Sequence, residues 1–215
     1  MNLKIKNALI SVSNKENLVS LLKTLKKFNI NIISSGGTYA SIKKLGYQCT
    51  ELSKYTGFKE MLDGRVKTLH PKIHAGILNK RSNRSHQNDL KKNNFENIDL
   101  VIVNFYPFEN TLEKTKNHNK IIENIDIGGP SLVRAAAKNY LDVTVITSNK
   151  YYDDLINELE RNKGATSIEF RKKMAENAFL ETAYYDSVIS NYLNKTSNTV
   201  FPQKKIILGK LFEKL

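Results

Sequence analysis

The chain has a single cysteine, Cys49, among its 215 residues. An internal disulfide is therefore excluded, and one thiolate cannot build a cysteine-ligated metal cluster. Cys49 is expected to pack in a strand. No apolar run approaches the roughly 20 residues needed to cross a bilayer, and no apolar signal segment follows Met1 to Lys6. A cytosolic protein without membrane contact is expected. Gly-x-Gly-x-x-Gly and Gly-Lys-Thr are both missing, so neither a dinucleotide fingerprint nor a Walker loop is present. His70 and His74 have the spacing of a helical metal pair, but Pro71 interrupts the helix and no carboxylate follows at ligand spacing. No metal is expected.

What the chain has in excess is positive charge, +13 at neutral pH. Its basic residues are 28 lysines and six arginines. They are spread along the chain, with no arginine-rich block and no basic stripe interleaved with aromatics. The pattern reads as a compositional bias, an enzyme with lysine-decorated helix faces rather than a nucleic-acid binder. The same field favours an anionic small substrate.

Asn7 to Ser13 is a short apolar run ending in hydroxyls, as in a buried strand that opens onto a loop. Leu18, Leu21, Leu22 and Leu25 recur at helical spacing, predicting a helix from Lys15 to Phe28. The pattern then repeats, with a strand at Ile30 to Ser34, a turn at Ser35 to Thr38 and a helix from Tyr39 to Leu45 ended by Gly46. Strands at Tyr47 to Leu52, Ile98 to Phe105 and Val143 to Ile146 follow. Asn79 to Asn97 reads as a helix plus surface loop, and Thr111 to Lys120 as a polar segment. Amphipathic helices are expected over Tyr151 to Asn162 and Ile168 to Leu193. The alternation predicts an α/β fold, a mainly parallel Rossmann-like sheet with helices on both faces and a helical C-terminal portion.

In such sheets ligands bind beyond the carboxyl ends of the strands. Ser11, Ser13, Asn14 and Lys15 then share a rim with Ser35, Gly36, Gly37 and Thr38, and the two loops together suit a phosphate. Ser13 can equally serve as a helix N-cap. Arg65, Lys67, Thr68 and His70 crowd into six residues that are too polar for core, which marks a functional loop. Asn104 and Tyr106 emerge on the same side, although an aromatic pair around Pro107 also suits core cover. In Glu123 to Asn139 the carboxylate of Asp126 precedes Gly128-Gly129, and Pro130 opens a helix of strong formers, Leu132 to Lys138. Free amides of that first turn favour an anion or a developing oxyanion.

Six stretches carry a resemblance. Ser11-Val12-Ser13-Asn14-Lys15, Ser35-Gly36-Gly37-Thr38, Met61 to Pro71, Asn104-Phe105-Tyr106-Pro107-Phe108, Asp126-Ile127-Gly128-Gly129-Pro130 and Arg134 to Asn139 stand in one order. Over residues 7 to 198 the chain resembles the IMP cyclohydrolase domain, the N-terminal half of the bifunctional purine-biosynthesis enzymes that also carry an AICAR transformylase. Departures from the pattern are Asn14 for a frequent Asp, Ser34 where Thr is frequent, and Phe105 for a usual Leu.

The resemblance implies a fold like that of methylglyoxal synthase and closure of formyl-AICAR ribonucleotide to IMP. It assigns the 5′-phosphate to Ser11, Ser13, Asn14, Lys15 and Ser35, Gly36, Gly37, Thr38. It assigns the base to Arg65, Val66, Lys67, Thr68, Val103, Asn104, Asp126, Ile127 and Gly128, and the chemistry to Lys67, Tyr106, Asp126 and Lys138. No cofactor is implied for this half, and a homodimer is the expected assembly. Residues 199–215 are expected to begin a connection to a transformylase domain, packing Phe201, Ile206, Ile207, Leu208, Leu211 and Phe212 on a neighbour. A methylglyoxal-synthase-like lyase, a regulatory ligand-binding domain of the same fold and a basic nucleic-acid-binding module are the alternatives.

Overall fold

Five strands form one parallel sheet, and two short ones pair beside it. The strands are β1 (Leu3–Lys4), β2 (Asn7–Val12), β3 (Asn31–Ser34), β4 (Thr50–Glu51), β5 (Leu100–Asn104), β6 (Thr144–Ile146) and β7 (Ala165–Thr166). In the computed structural model, which describes residues 2–196 with Lys204, Ile206, Ile207 and Gly209, the sheet order is β4-β3-β2-β5-β6. β1 and β7 make a separate antiparallel pair. The helices are α1 (Leu18–Lys27), α2 (Gly36–Lys44), α3 (Leu52–Thr56), α4 (Pro71–Leu78), α5 (Arg84–Lys92), α6 (Phe108–Lys114), α7 (His118–Glu123), α8 (Gly128–Lys138), α9 (Tyr152–Arg161) and α10 (Ile168–Thr196).

The central pair, β2 and β5, explains why the sheet is parallel and buried. Ala8, Leu9 and Ile10 of β2 and Leu100 to Val103 of β5 are all buried, so both faces need cover, and helices on each face supply it. Each such aliphatic side chain contributes about 1.5–3 kcal/mol by leaving water. On one face α1 packs against α9; on the other α8 packs against β5, β6, α4 and α10. A second, smaller cluster of Phe108, Ile121, Tyr185 and Val188 joins α6 and α7 to α10.

Register decides what stands at the rim. Val12 pairs with Asn104, Ile10 with Ser34, and Ile102 with Ile146. The loops after β2, β3, β5 and β6 therefore open at one end of the sheet, the end where such folds bind ligands.

Several elements differ from their sequence expectation for local reasons. α1 begins at Leu18 because Asn17 takes a left-handed conformation, φ 58°. Ser35 to Thr38 is not a separate turn, since Gly36, Gly37 and Thr38 make the first turn of α2. Gly128 and Gly129 likewise open α8. The third strand shrinks to Thr50–Glu51, so Cys49 lies just outside it, half-buried, with burial pushing its thiol up to about 11. Two helices, α6 and α7, occupy most of the stretch read as a polar segment. β1 and β7, two residues each, carry no periodicity to read.

Candidate functional site

The first component is a loop held from across the sheet. The Asn104 side chain, at the end of β5, accepts the amides of Ser13 at 2.6 Å and Asn14 at 3.1 Å and the Ser13 hydroxyl at 2.8 Å. Its own amide donates to the Asn14 carbonyl at 3.3 Å. One side chain thus sets the shape of the Ser13–Asn14 loop. Thr38 does the same from α2: its buried hydroxyl accepts the Val12 amide at 3.0 Å and donates to the Val12 carbonyl at 2.9 Å. That hydroxyl is engaged with the main chain, so Thr38 shapes the loop after β2.

The second component is the N-terminus of α2. Gly36 and Gly37 are exposed there, and first-turn amides have no intrahelical partner. Two lysines from different loops close on them. The Lys15 ammonium lies 4.0 Å from where a Cβ on Gly37 would stand, and the Lys67 ammonium 3.7 Å from that of Gly36. Lys67 is seated by its own hairpin. Met61 and Val66 form an antiparallel bridge, which sets the flanking Glu60 and Lys67 side by side in an ion pair of 3.1 Å. Gly64, at φ +88°, completes the turn, and a Cβ there would stand 2.4 Å from Lys67 Cε. That backbone conformation is one that L side chains rarely adopt.

The third component is Asp126. Its Oδ1 accepts the Gly129 amide at 2.8 Å, so the carboxylate occupies part of the amide turn that sequence reasoning left open. The Tyr106 amide donates to it as well. Burial raises the Asp126 pKa above its ordinary value, and these two hydrogen bonds only partly offset the rise. The Asp126 amide donates to the Tyr185 hydroxyl at 2.8 Å. Thr68 Oγ1 comes within 2.5 Å of the place a Cβ on Gly128 would take. The loop bearing Lys67 is thereby joined to the loop bearing Asp126.

Beside Asn104 and Tyr106 opens a cavity of about 570 Å³, whose walls also include Ser13, Asn14, Ser148, Asn149 and Tyr185. Tyr106 and Ile127 are exposed. Ser11 lies in β2. Arg65 is exposed and pairs with Glu123 at 3.1 Å. Val103 is a core side chain, 1% exposed, so only its main chain could meet a ligand. His70 caps α4, its Nδ1 accepting the Lys72 amide at 3.1 Å, and so stands outside the helix that carries His74.

Lys138 is not brought into this group. It ends α8 and lines a separate groove of about 870 Å³ with His74, Leu78, Arg134, Tyr140 and Phe179. Sequence reasoning also missed residues that belong here. Tyr185 sits in a helix whose periodicity signals only packing, and Glu60 precedes the loop that drew attention. The pairing of Glu60 with Lys67 around a Gly64 turn was the available signal. Among the described residues no helix is long and apolar enough to cross a membrane. Of the C-terminal apolar residues, Ile206 and Ile207 are exposed, while Phe201, Leu208, Leu211 and Phe212 lie outside the described residues.

Comparison with known proteins adds the family. The MGS-like domain family matches residues 17–131, and the AICARFT/IMPCHase bienzyme family matches residues 136–214. The bifunctional purine biosynthesis protein PurH of Persephonella marina is 50% identical over 190 residues, covering 88% of this chain and 37% of its own length. PurH of Bradyrhizobium diazoefficiens is 43% identical over 212 residues, covering 99% of this chain. The chain spans about 40% of the length of that relative. The crystal structure of ForH superposes with a TM-score of 0.78 at 28% identity, covering 88% of this chain and 99% of that one. The chain belongs to the MGS-like domain family, with residues 136–214 similar to the AICARFT/IMPCHase bienzymes.

Proposed function

We propose that this chain is an IMP cyclohydrolase domain that closes the ring of 5-formamidoimidazole-4-carboxamide ribonucleotide to give IMP, the last step of de novo purine synthesis. The observation that carries the reading is Asp126, a half-buried carboxylate of raised pKa, joined through the Thr68–Gly128 contact to a cradle of two lysines and a helix N-terminus. A nucleotide monophosphate has the matching chemistry, a dianion at one end and an exchangeable amide proton at the other. The match to the bienzyme family and the names of the PurH relatives support the same reading.

Ring closure forms a bond from the carboxamide nitrogen to the formyl carbon and breaks the bond from that carbon to its oxygen, which leaves as water with two protons, one from the carboxamide nitrogen through a base and one from the formamido N–H. Amide nitrogen is a poor nucleophile, so the base must act as the bond forms. Asp126 is that base, and its raised pKa makes it a stronger acceptor than an exposed aspartate. Lys67, at the boundary between cradle and Asp126 loop, offsets the negative charge that develops on the formyl oxygen. Tyr106, whose amide holds Asp126, is the nearby hydroxyl for proton relay. Lys15 and the first turn of α2 hold the phosphate, while Asn104 fixes the loop beneath it. The chemistry requires no metal and no folate.

Residues 1–198 form the cyclohydrolase domain in this reading, and 199–215 begin a connection to a transformylase domain. The protein is cytoplasmic and a homodimer. The deciding experiment follows the absorbance change as formyl-AICAR ribonucleotide becomes IMP with the purified chain. A kcat lowered by on the order of 10² or more, but still measurable, is expected in Asp126→Asn. No turnover by the wild-type chain, or turnover of a triose phosphate instead, overturns the reading.

A further inference from the structure

Tyr185 lies 59 residues beyond Asp126 in the sequence, yet its hydroxyl accepts the Asp126 amide at 2.8 Å. The side chain is 7% exposed. Its ring packs on Phe105 with centroids 4.9 Å apart and on Phe108 with centroids 6.2 Å apart. Ring packing alone would be met by phenylalanine. A buried phenol brings a polar group that must find a partner, and the partner here is the main chain of the residue assigned as base.

The geometry around Asp126 divides into two halves. Gly129 and Tyr106 hold its carboxylate through their amides. Tyr185 holds its main chain from α10, an element outside both of those loops. Phe105, which packs on the Tyr185 ring, immediately precedes Tyr106, so the same side chain also supports the second loop from below. Burial pushes the Tyr185 phenol up to about 12, which keeps it neutral. A neutral phenol can accept the Asp126 amide and still has a proton of its own to donate.

We propose that Tyr185 is a positioning residue for Asp126, fixing the main chain of the loop so that the carboxylate meets the substrate's carboxamide at one height. The proposal rests on the reading of Asp126 as base. It assigns to α10 a part in catalysis that reaches the reacting atoms only through Asp126.

The test is Tyr185→Phe, which keeps the ring contacts and removes the hydroxyl. A base displaced by a fraction of an ångström loses rate while binding persists, so kcat is expected to fall about tenfold with KM within about twofold. In an Asp126→Asn background the same substitution is expected to change kcat by less than about twofold, because a positioning residue has nothing left to position. Amide hydrogen exchange at Asp126 in the ligand-free protein should accelerate at least about tenfold, with Ile102 unchanged as the internal reference. An unchanged exchange rate at Asp126 overturns the proposal, as does an equal loss of kcat in both backgrounds. Absence of turnover in the wild-type chain sinks the functional reading instead, and the exchange measurement still decides whether Tyr185 holds Asp126.

Discussion

Asp126 and Gly129 are fitted to each other: the carboxylate accepts the Gly129 amide at 2.8 Å, and a Cβ on Gly129 would stand 2.4 Å from Asp126 Oδ2. The contact leaves no room for any other residue at 129 unless the carboxylate turns away. The sequence Asp-Ile-Gly-Gly thus encodes a carboxylate aimed by its own helix.

Gly129→Ala should therefore act on catalysis more than on folding. Alanine suits a helix better than glycine by about 1 kcal/mol, which offsets part of the local clash. A carboxylate pushed aside by about an ångström loses on the order of 10² in rate. Steady-state kinetics alongside a melting curve checks this, and a variant with wild-type kcat would show that the carboxylate does not need its seat.

Asp126→Asn separates stability from activity. Burial raises the folded-state pKa of Asp126 above its unfolded value, so the native state binds more protons than the unfolded state between those two values. Stability then falls as pH rises through that window, and at neutral pH the ionised carboxylate costs the fold something. The asparagine variant should melt no lower than wild type at pH 7, with the difference shrinking as the medium is acidified. Its kcat should drop by on the order of 10² or more, as for a lost general base. In the wild type kcat/KM should fall as pH drops through the raised Asp126 pKa. A variant that melts well below wild type at neutral pH would contradict the sign.

How much of this was legible follows the range of each signal. The strands β2, β3 and β5 are short apolar runs, and their boundaries emerge within two residues because burial on both faces leaves a local trace. The Gly36–Gly37 and Gly128–Gly129 pairs were legible as breaks in the chain's periodicity, because paired glycines are local punctuation. What they do as the first turns of α2 and α8 was not, since that depends on Asp126 reaching Gly129 and on Thr38 reaching Val12. Tyr185 was silent because its contact spans 59 positions and its own neighbours in α10 look like packing. Cys49 was misplaced because β4 begins only at Thr50, where pairing with Ile33 of β3 starts.

Thr38→Val and Lys15→Ala should separate scaffold from ligand contact. The Thr38 hydroxyl satisfies both the amide and the carbonyl of Val12 in a buried setting. Valine leaves these groups unpaired, at a cost of about 1–3 kcal/mol, with KM changed by less than about twofold. Lys15 is exposed, and its loss should leave melting unchanged. It should raise KM about tenfold, the equivalent of about 1.4 kcal/mol of phosphate binding. Thermal melts and substrate titrations on both variants check the pair, and exchanged phenotypes would place the phosphate elsewhere.

Lys138 poses the remaining question, because the resemblance makes it catalytic while the fold holds it apart. α8 runs from Gly128 to Lys138, and at 1.5 Å per residue the two Cα atoms lie roughly 15 Å apart. A lysine side chain covers less than half of that, and Asp126 lies beyond the far end of the helix. The Lys138 ammonium therefore reaches a substrate held by Asp126 of the same chain only if that substrate lies along α8 or the helix bends. Both statements hold together if Lys138 serves the site of a second chain, as a two-fold dimer permits. The groove beside Lys138, with Leu78 and Phe179 in its wall and both exposed, is then the face nearest the partner. Lys138→Ala and Asp126→Asn should each be nearly inactive as pure proteins. Co-expressed in equal amounts they should regain about a quarter of wild-type activity, since half of the dimers are mixed and each mixed dimer has one complete site. A Lys138→Ala protein with kcat within about threefold of wild type reduces this residue to a cation at a helix C-terminus, worth about 0.3–1 kcal/mol. Two inactive variants that fail to complement would require Lys138 to act in its own chain, and hence the substrate to lie along α8 or the helix to bend.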